Sequence, residues 1–248
     1  MGQNFRAGGY LKRAKDIMIY VQMNDPNNPE VNLPLGVFYY FSANVPKNLK
    51  WAASLLGFSG DRQQGIAYLQ KASAYNNFSQ TDAQYLLAYT LHKYEKDFAQ
   101  AQVYSDKLQK KHPTNPEFQW SHAEIALNKK DYADALLRLK KFDEFCAAQK
   151  CAERYEFMSH YHQFDAYKNL NDSKNAGQQI DLAIEKDTGQ ENGRIVNLHY
   201  HAAKLLPQND PGVCDHVKKI EKLQKYNVEV WEKAQVEFAQ CLDLEEAK

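Results

Sequence analysis

A small residue returns on the apolar face of one amphipathic segment after another. The positions are Ala14, Gly65, Ala101, Ala135 and Ala176, separated by 51, 36, 34 and 41 residues. A recurrence near ~34 residues is what a chain of stacked helix pairs requires. Where two helices cross closely a large side chain would hold them apart, so the crossing point selects Gly or Ala. Each segment opens in a similar way. Asp131-Tyr132-Ala133-Asp134-Ala135-Leu136 leads into Leu139 and Phe142 on the same face. Asp97-Phe98 runs to Ala101 and Leu108, Asn171-Asp172-Ser173 to Ala176, Ile180 and Ala183, and Gly60-Asp61 to Gly65, Leu69 and Ala72. An earlier segment carries Leu11, Ala14, Met18 and Val21. Spacings of three and four mark helices, and no run of alternating β-branched residues competes with them. The chain is predicted to be all-α.

The partner helices are also visible. Leu35-Gly36-x-x-Tyr39, Leu87-Ala88-x-x-Leu91 and Ala123-x-x-Ala126 open three hairpins, and His160 to Leu170 opens a fourth, with Phe164 where a small residue is expected. Two linkers are nearly the same: Asp25-Pro26-Asn27-Asn28-Pro29-Glu30 and His112-Pro113-Thr114-Asn115-Pro116-Glu117. Proline there stops one helix and pre-sets the first turn of the next.

Over roughly residues 8 to 186 this pattern resembles the tetratricopeptide repeat (TPR). The resemblance rests on the Leu35-Gly36-x-x-Tyr39 opening, the Asp-aromatic-x-x-Ala entries and the Asn-Pro linkers. It implies a right-handed α-solenoid of about four degenerate hairpins over residues 1–192, with a C-terminal helical cap at 193–248 on the same solenoid. The chain departs from the family pattern: no repeat carries the expected Trp, and the stretch from Ala88 to Ala101 is one residue too long. A short amphipathic helix at about 46–58 (Leu49, Ala52, Leu55, Leu56, ended by Gly57) is expected as an insertion. With Gly57-Phe58-Ser59-Gly60-Asp61-Arg62, this segment is similar to the TPR proteins linked to inclusion-body clearance and to their uncharacterised bacterial relatives. That likeness implies an adaptor without catalysis.

Terminal repeats need caps, because their outer apolar side has no neighbour. Arg194–Leu206, Pro211–Tyr226 and Val228–Leu244 are predicted as three capping helices. At the other end, Leu11, Ala14, Met18 and Val21 suit the second helix of a hairpin whose first helix is missing. The expectation is a chain that begins mid-repeat, or an edge that a partner covers.

Several function classes are disfavoured. Lys plus Arg and Asp plus Glu both number 31, for a formal net charge of zero. The basic pieces Lys47–Lys50, Lys107–Lys111 and Lys218–Lys225 are short and interrupted, which suits solvated helix faces better than nucleic-acid binding. The most apolar run, Leu33 to Val45, is too short to span a bilayer and contains Pro34, Gly36 and Asn44. Asn4, Arg6, Lys12, Arg13, Lys15 and Asp16 break up any signal-peptide core. The expected place is therefore intracellular, or extracytoplasmic with an upstream signal. No P-loop, dinucleotide fingerprint, nucleophile elbow or H-E-x-x-H occurs. His160 and His162, like His199 and His201, sit two apart and face different sides of a helix. No catalytic residue, metal or cofactor is expected.

Cys146 and Cys151 lie five apart across an expected helix end. Cys214 and Cys241 fall opposite each other if two helices fold back at Tyr226-Asn227. Disulfides at both places would imply an oxidising compartment. The burial preference of free cysteine favours four reduced thiols instead.

Sixteen tyrosines are a large share of the chain. The resemblance places first helices on a concave binding face, where Tyr85, Trp120 and Tyr161 occupy similar positions on three of them. With Tyr89, Glu124, Asp165 and Lys168 they would form a groove of aromatic anchors between charged groups. The alternative is that the same rings pack between neighbouring hairpins. The Lys/Asn arrangement with which related repeats clamp chaperone tails is absent, since its places hold Tyr85, Tyr89, Trp120 and Glu124. The expected function is a non-enzymatic scaffold for a protein or peptide. The alternative is a structural subunit that assembles through its convex face, its inserted helix and its N-terminal edge.

Overall fold

The structure, a computed structural model, describes residues 2–45, 60–190 and 192–242, with the backbone alone for residues 2–8 and 11. The expected inserted helix at 46–58 lies outside the described residues, as does the side chain of Leu11. All regular structure among the described residues is helical. Two compact units divide the chain, Met1–Ser121 and His122–Lys248.

The first unit opens with α1 (Gly2–Asn24) and a 3-10 turn (Pro29–Val31). It continues with α2 (Asn32–Ala43), α3 (Arg62–Ala74), α4 (Gln80–Thr90) and α5 (Phe98–Lys111). Between α4 and α5 lies a π-helical turn, Leu91–Glu95. Helix α6 (Pro116–Lys129) carries the boundary between the units. The second unit continues through α7 (Tyr132–Gln149), α8 (Glu153–Asn169), α9 (Ser173–Glu185), α10 (Asn192–Leu205), α11 (Pro211–Lys222) and α12 (Val228–Glu237). A 3-10 turn at Ala239–Cys241 follows α12.

Helix entry uses one device five times. Asp61, Asp97, Asp131, Asp172 and Asp210 each stand before the first residue of α3, α5, α7, α9 and α11, and each carboxylate accepts a hydrogen bond from a backbone N–H in the first turn. This satisfies donors that a helix start leaves without intrahelical partners. At three of these entries the preceding residue, Lys96, Lys130 or Asn171, takes the left-handed conformation that closes the helix before it. The chain therefore ends one helix and starts the next within two or three residues. The two near-identical linkers fold alike. Asn28 Oδ1 accepts from Glu30 N at 3.1 Å, and Asn115 Oδ1 accepts from Glu117 N at 3.0 Å.

Four of the five small anchors are where the pattern puts them: Gly65, Ala101, Ala135 and Ala176 are all buried. Gly65 sits so close to α2 that an added Cβ would lie 2.5 Å from Tyr40 N. Ala14 differs. It is exposed, while Met18 and Val21 are half-buried. Helix α1 instead packs on α2 through a rotated face, with Lys15 over the Phe38 ring and Gln22 accepting from the Tyr68 hydroxyl at 3.2 Å. Tyr10, Ile17 and Tyr20 are left 71%, 51% and 67% exposed.

In the second unit one core joins Phe157 and Phe164 of α8, Ile180 and Ala183 of α9, and Ile195 and Leu198 of α10. A second joins Val196 and Tyr200 of α10, Val213, Val217 and Ile220 of α11, and Val230, Ala234, Phe238 and Cys241 at the C-terminal end. Phe164, where a small residue was expected, is buried against α9 and α10. Both cysteine pairs are disulfides, Cys146–Cys151 and Cys214–Cys241. The expectation of reduced thiols is overturned, although Cys146 and Cys241 are indeed buried. Core position and pairing are not alternatives here.

Candidate functional site

Within the first unit, α4 presents Tyr85 and Tyr89 one turn apart on one side. The Tyr85 hydroxyl donates to Glu117 Oε1 at 3.2 Å, and its ring leans on Phe118 with centroids 5.9 Å apart. Glu117 stands at its place because the Asn115 cap fixes the start of α6. Tyr89 meets His92 and Tyr94 edge-on, each at 5.8 Å. Trp120 is only 7% exposed, so its ring belongs to the interior and offers little area to a partner.

The π-helical turn organises the rest of this surface. Tyr94 lies against Tyr40 at 6.4 Å, and Glu95 Oε1 accepts the Tyr40 hydroxyl at 2.7 Å. Burial, and then the hydrogen bond to Glu95, pushes the Tyr40 phenol well above its ordinary range. Arg62, which also bonds Asn44, approaches Glu95 at 3.8 Å. The cluster ties α2, α3 and the π-turn together. It was not foreseen, because Tyr40 and Glu95 are 55 residues apart.

Within the second unit, Tyr161, Asp165 and Lys168 follow one another at i, i+4 and i+7 along α8, a single helical face. Tyr161 is half-buried: Phe157 stacks beneath it at 6.2 Å, and the Arg194 guanidinium lies 5.6 Å from its ring centre. The Asn197 amide donates to its hydroxyl at 3.1 Å. Asp165 pairs with Lys168 at 3.0 Å, and the Lys168 ammonium also covers the Phe164 ring at 5.1 Å. Glu124 is half-buried on α6. Arg194 and Asn197 of α10 were not foreseen as part of this surface. The helical phase of α10 was readable, but not its distance from α8.

Histidines gather on α10 and α11. His199 is buried, and its Nδ1 lies 3.0 Å from Nδ1 of His216. Burial, followed by the charges of His216 and Lys219, lowers His199 to about 4. Burial, then Lys168 and Lys204, brings His201 to about 4 as well. His216 is lowered too, first by burial and then by Lys219. At neutral pH these imidazoles are uncharged, so one ring of the pair donates and the other accepts. Two charged rings at this distance would repel. Among the described residues no three His, Cys, Asp or Glu side chains come together as metal ligands. Nor is any helix among them long and apolar enough to cross a membrane.

No protein-family model matches the chain, and no curated protein matches it.

Proposed function

We propose that this chain is a non-catalytic helical-repeat scaffold of degenerate tetratricopeptide type, which holds a protein or peptide against its first-of-pair helices. The observation that carries the reading is Tyr161. It is a half-buried ring set rigidly between Phe157 and Arg194, its hydroxyl fixed by Asn197, with Asp165 and Lys168 along the same face. A pre-ordered aromatic with flanking charges is the arrangement from which interface hot spots are built. In the first unit Tyr85 and Tyr89 have the same role, on a base of Phe118, His92 and Tyr94. Glu124 adds a carboxylate to the contact surface of the second unit. Trp120 supports the scaffold from within, so it is a poor choice for testing contact.

Tyr85→Ser and Tyr161→Ser, combined with Trp120 left in place, separate contact from folding. Capture of partners from native lysate, read by mass spectrometry, should fall at least tenfold while helicity and melting stay within a few degrees of wild type. Undiminished capture of the same proteins would reject the assignment. A second reading, assembly through the N-terminal edge, draws on the exposed Tyr10, Ile17 and Tyr20 of α1. Light scattering that reports a monomer at high concentration would count against it.

A further inference from the structure

All four cysteines of the chain lie in the second unit, and both of its bridges are closed. The two bridges have unequal work to do. Cys146–Cys151 spans five residues at the end of α7, where the backbone is already closed: the N–H groups of Lys150 and Cys151 both donate to the Cys146 carbonyl. Cys214–Cys241 spans 27 residues and joins α11 to the turn that follows α12. What it holds is weak by itself. A helix of ten residues is too short to persist alone in water. The anchors of α12 are Val230, Ala234 and Phe238, together with a partly exposed polar tie in which Glu237 accepts from the buried Tyr200 and pairs with Lys204 at 3.1 Å. Beneath them lie Val196, Tyr200, Val213 and Val217, which would meet water if α12 lifted away.

We infer that Cys214–Cys241 is a redox latch that keeps the α12 segment docked on α10 and α11, and that the chain works where dithiols are oxidised. In the closed state, lifting α12 must leave a covalently closed loop, which restricts the open ensemble and disfavours opening. In the open state a dithiol reductant has attacked one sulfur of the bridge. The Cys214–Cys241 bond breaks, a mixed disulfide forms, and the second thiol of the reductant displaces it. Two electrons and two protons pass from the dithiol to the cysteine pair, and the reductant leaves as its own disulfide. Cys241 is 3% exposed and packed in an apolar cluster, whereas Cys214 is half-buried and is the sulfur that the reductant reaches first. In an oxidising compartment a disulfide-bearing oxidant runs the same exchange in reverse.

The test is hydrogen exchange with mass spectrometry on the full chain, before and after reduction with dithiothreitol, with bridge opening verified by thiol labelling. Loop closure over this length predicts that protection within residues 228–237 falls by about four-hundredfold on reduction. Protection in the first unit should not change. Cys214→Ala/Cys241→Ala should reproduce the loss, whereas Cys146→Ala/Cys151→Ala should leave residues 228–237 protected. Unchanged protection after verified reduction would overturn the latch, and so would loss of protection throughout the second unit, because the opening is then not local. Protein drawn from its own cells, alkylated on lysis, should carry no free thiol. Recovery with Cys214 and Cys241 both reduced would overturn the placement in an oxidising compartment.

Discussion

Replacing Gly65 with alanine sets two known effects against each other. In a solvent-exposed helix interior the change should stabilise, since alanine is better than glycine there by about 1 kcal/mol. Within α3 the new methyl would instead lie 2.5 Å from Tyr40 N and 2.7 Å from Tyr40 Cα. Those atoms are backbone, so no side chain can swing aside. To reach an ordinary contact, α2 and α3 must part by nearly 1 Å, across an interface in which Leu35, Tyr40, Leu69 and Ala72 are all completely buried. Overpacking of this kind costs about 3 kcal/mol, which outweighs the helix gain and leaves a net loss of about 2 kcal/mol. For a unit of this size that lowers Tm by roughly 8 °C. Gly177 in α9 supplies the contrast, because there the methyl would meet only Leu205 Cδ1, at 3.5 Å. Gly177→Ala should therefore raise stability by about 0.5–1 kcal/mol. Calorimetry gives both shifts, and hydrogen exchange assigns them to α2 and α3 or to α9. If Gly65→Ala melts at or above wild type, the close crossing of α2 and α3 is wrong, and the small-residue recurrence loses its physical meaning.

Acid should weaken the second unit through its histidines. His199, His201 and His216 are held below their ordinary value when folded, so the neutral form favours the fold. For His199 and His201 the contribution is complete above about pH 6.5 and is lost as pH falls toward about 4, with His199 alone worth about 2–3 kcal/mol over that range. Urea melts at pH 7, 5.5 and 4.5, compared between wild type and His199→Gln/His216→Gln, read this directly; equal slopes with pH would reject it. The repeated helix entry gives a separate test. Asp131→Ala removes the acceptor for Asp134 N and should cost about 1 kcal/mol, with fraying at the start of α7 visible in hydrogen exchange. Stability unchanged within 0.3 kcal/mol by the same melts would show that the cap is dispensable.

Phase was legible in the sequence, and distance was not. Apolar spacing marked the helices, and Asp61, Asp97, Asp131 and Asp172 marked their starts, because a cap is a local interaction between residues two or three apart. The Asn-Pro linkers were legible for the same reason. Ala14 misled because α1 is amphipathic over more than one stripe, and its packed face is set by Lys15, Gln22 and their partners on α2 and α3. Trp120 shares its helical phase with Tyr85 and Tyr161, yet phase does not fix depth, and its ring is interior. The His199–His216 pair, the Tyr40–Glu95 bond and the Asn197–Tyr161 bond all join different helices, 17, 55 and 36 residues apart. No periodicity within one helix reports such meetings.

The π-helical turn between Ala88 and Ala101 shows how a local irregularity acquires a tertiary use. A helix can absorb one inserted residue without breaking if a single turn widens to π geometry, and Leu91–Glu95 is that turn. The widened turn closes on Lys96 in the left-handed conformation, and Asp97 then starts α5 as the other aspartates start their helices. Ala101, beyond the widened turn, is completely buried. The cost of poorer hydrogen-bond geometry in the turn is offset by what it delivers. Tyr94 reaches Tyr40, and Glu95 receives the hydroxyl of a completely buried tyrosine. An unsatisfied buried hydroxyl costs about 1–3 kcal/mol, comparable to the strain of one irregular turn. The same widening holds Tyr89 between two rings, so the surface proposed for partner binding in the first unit rests on this turn.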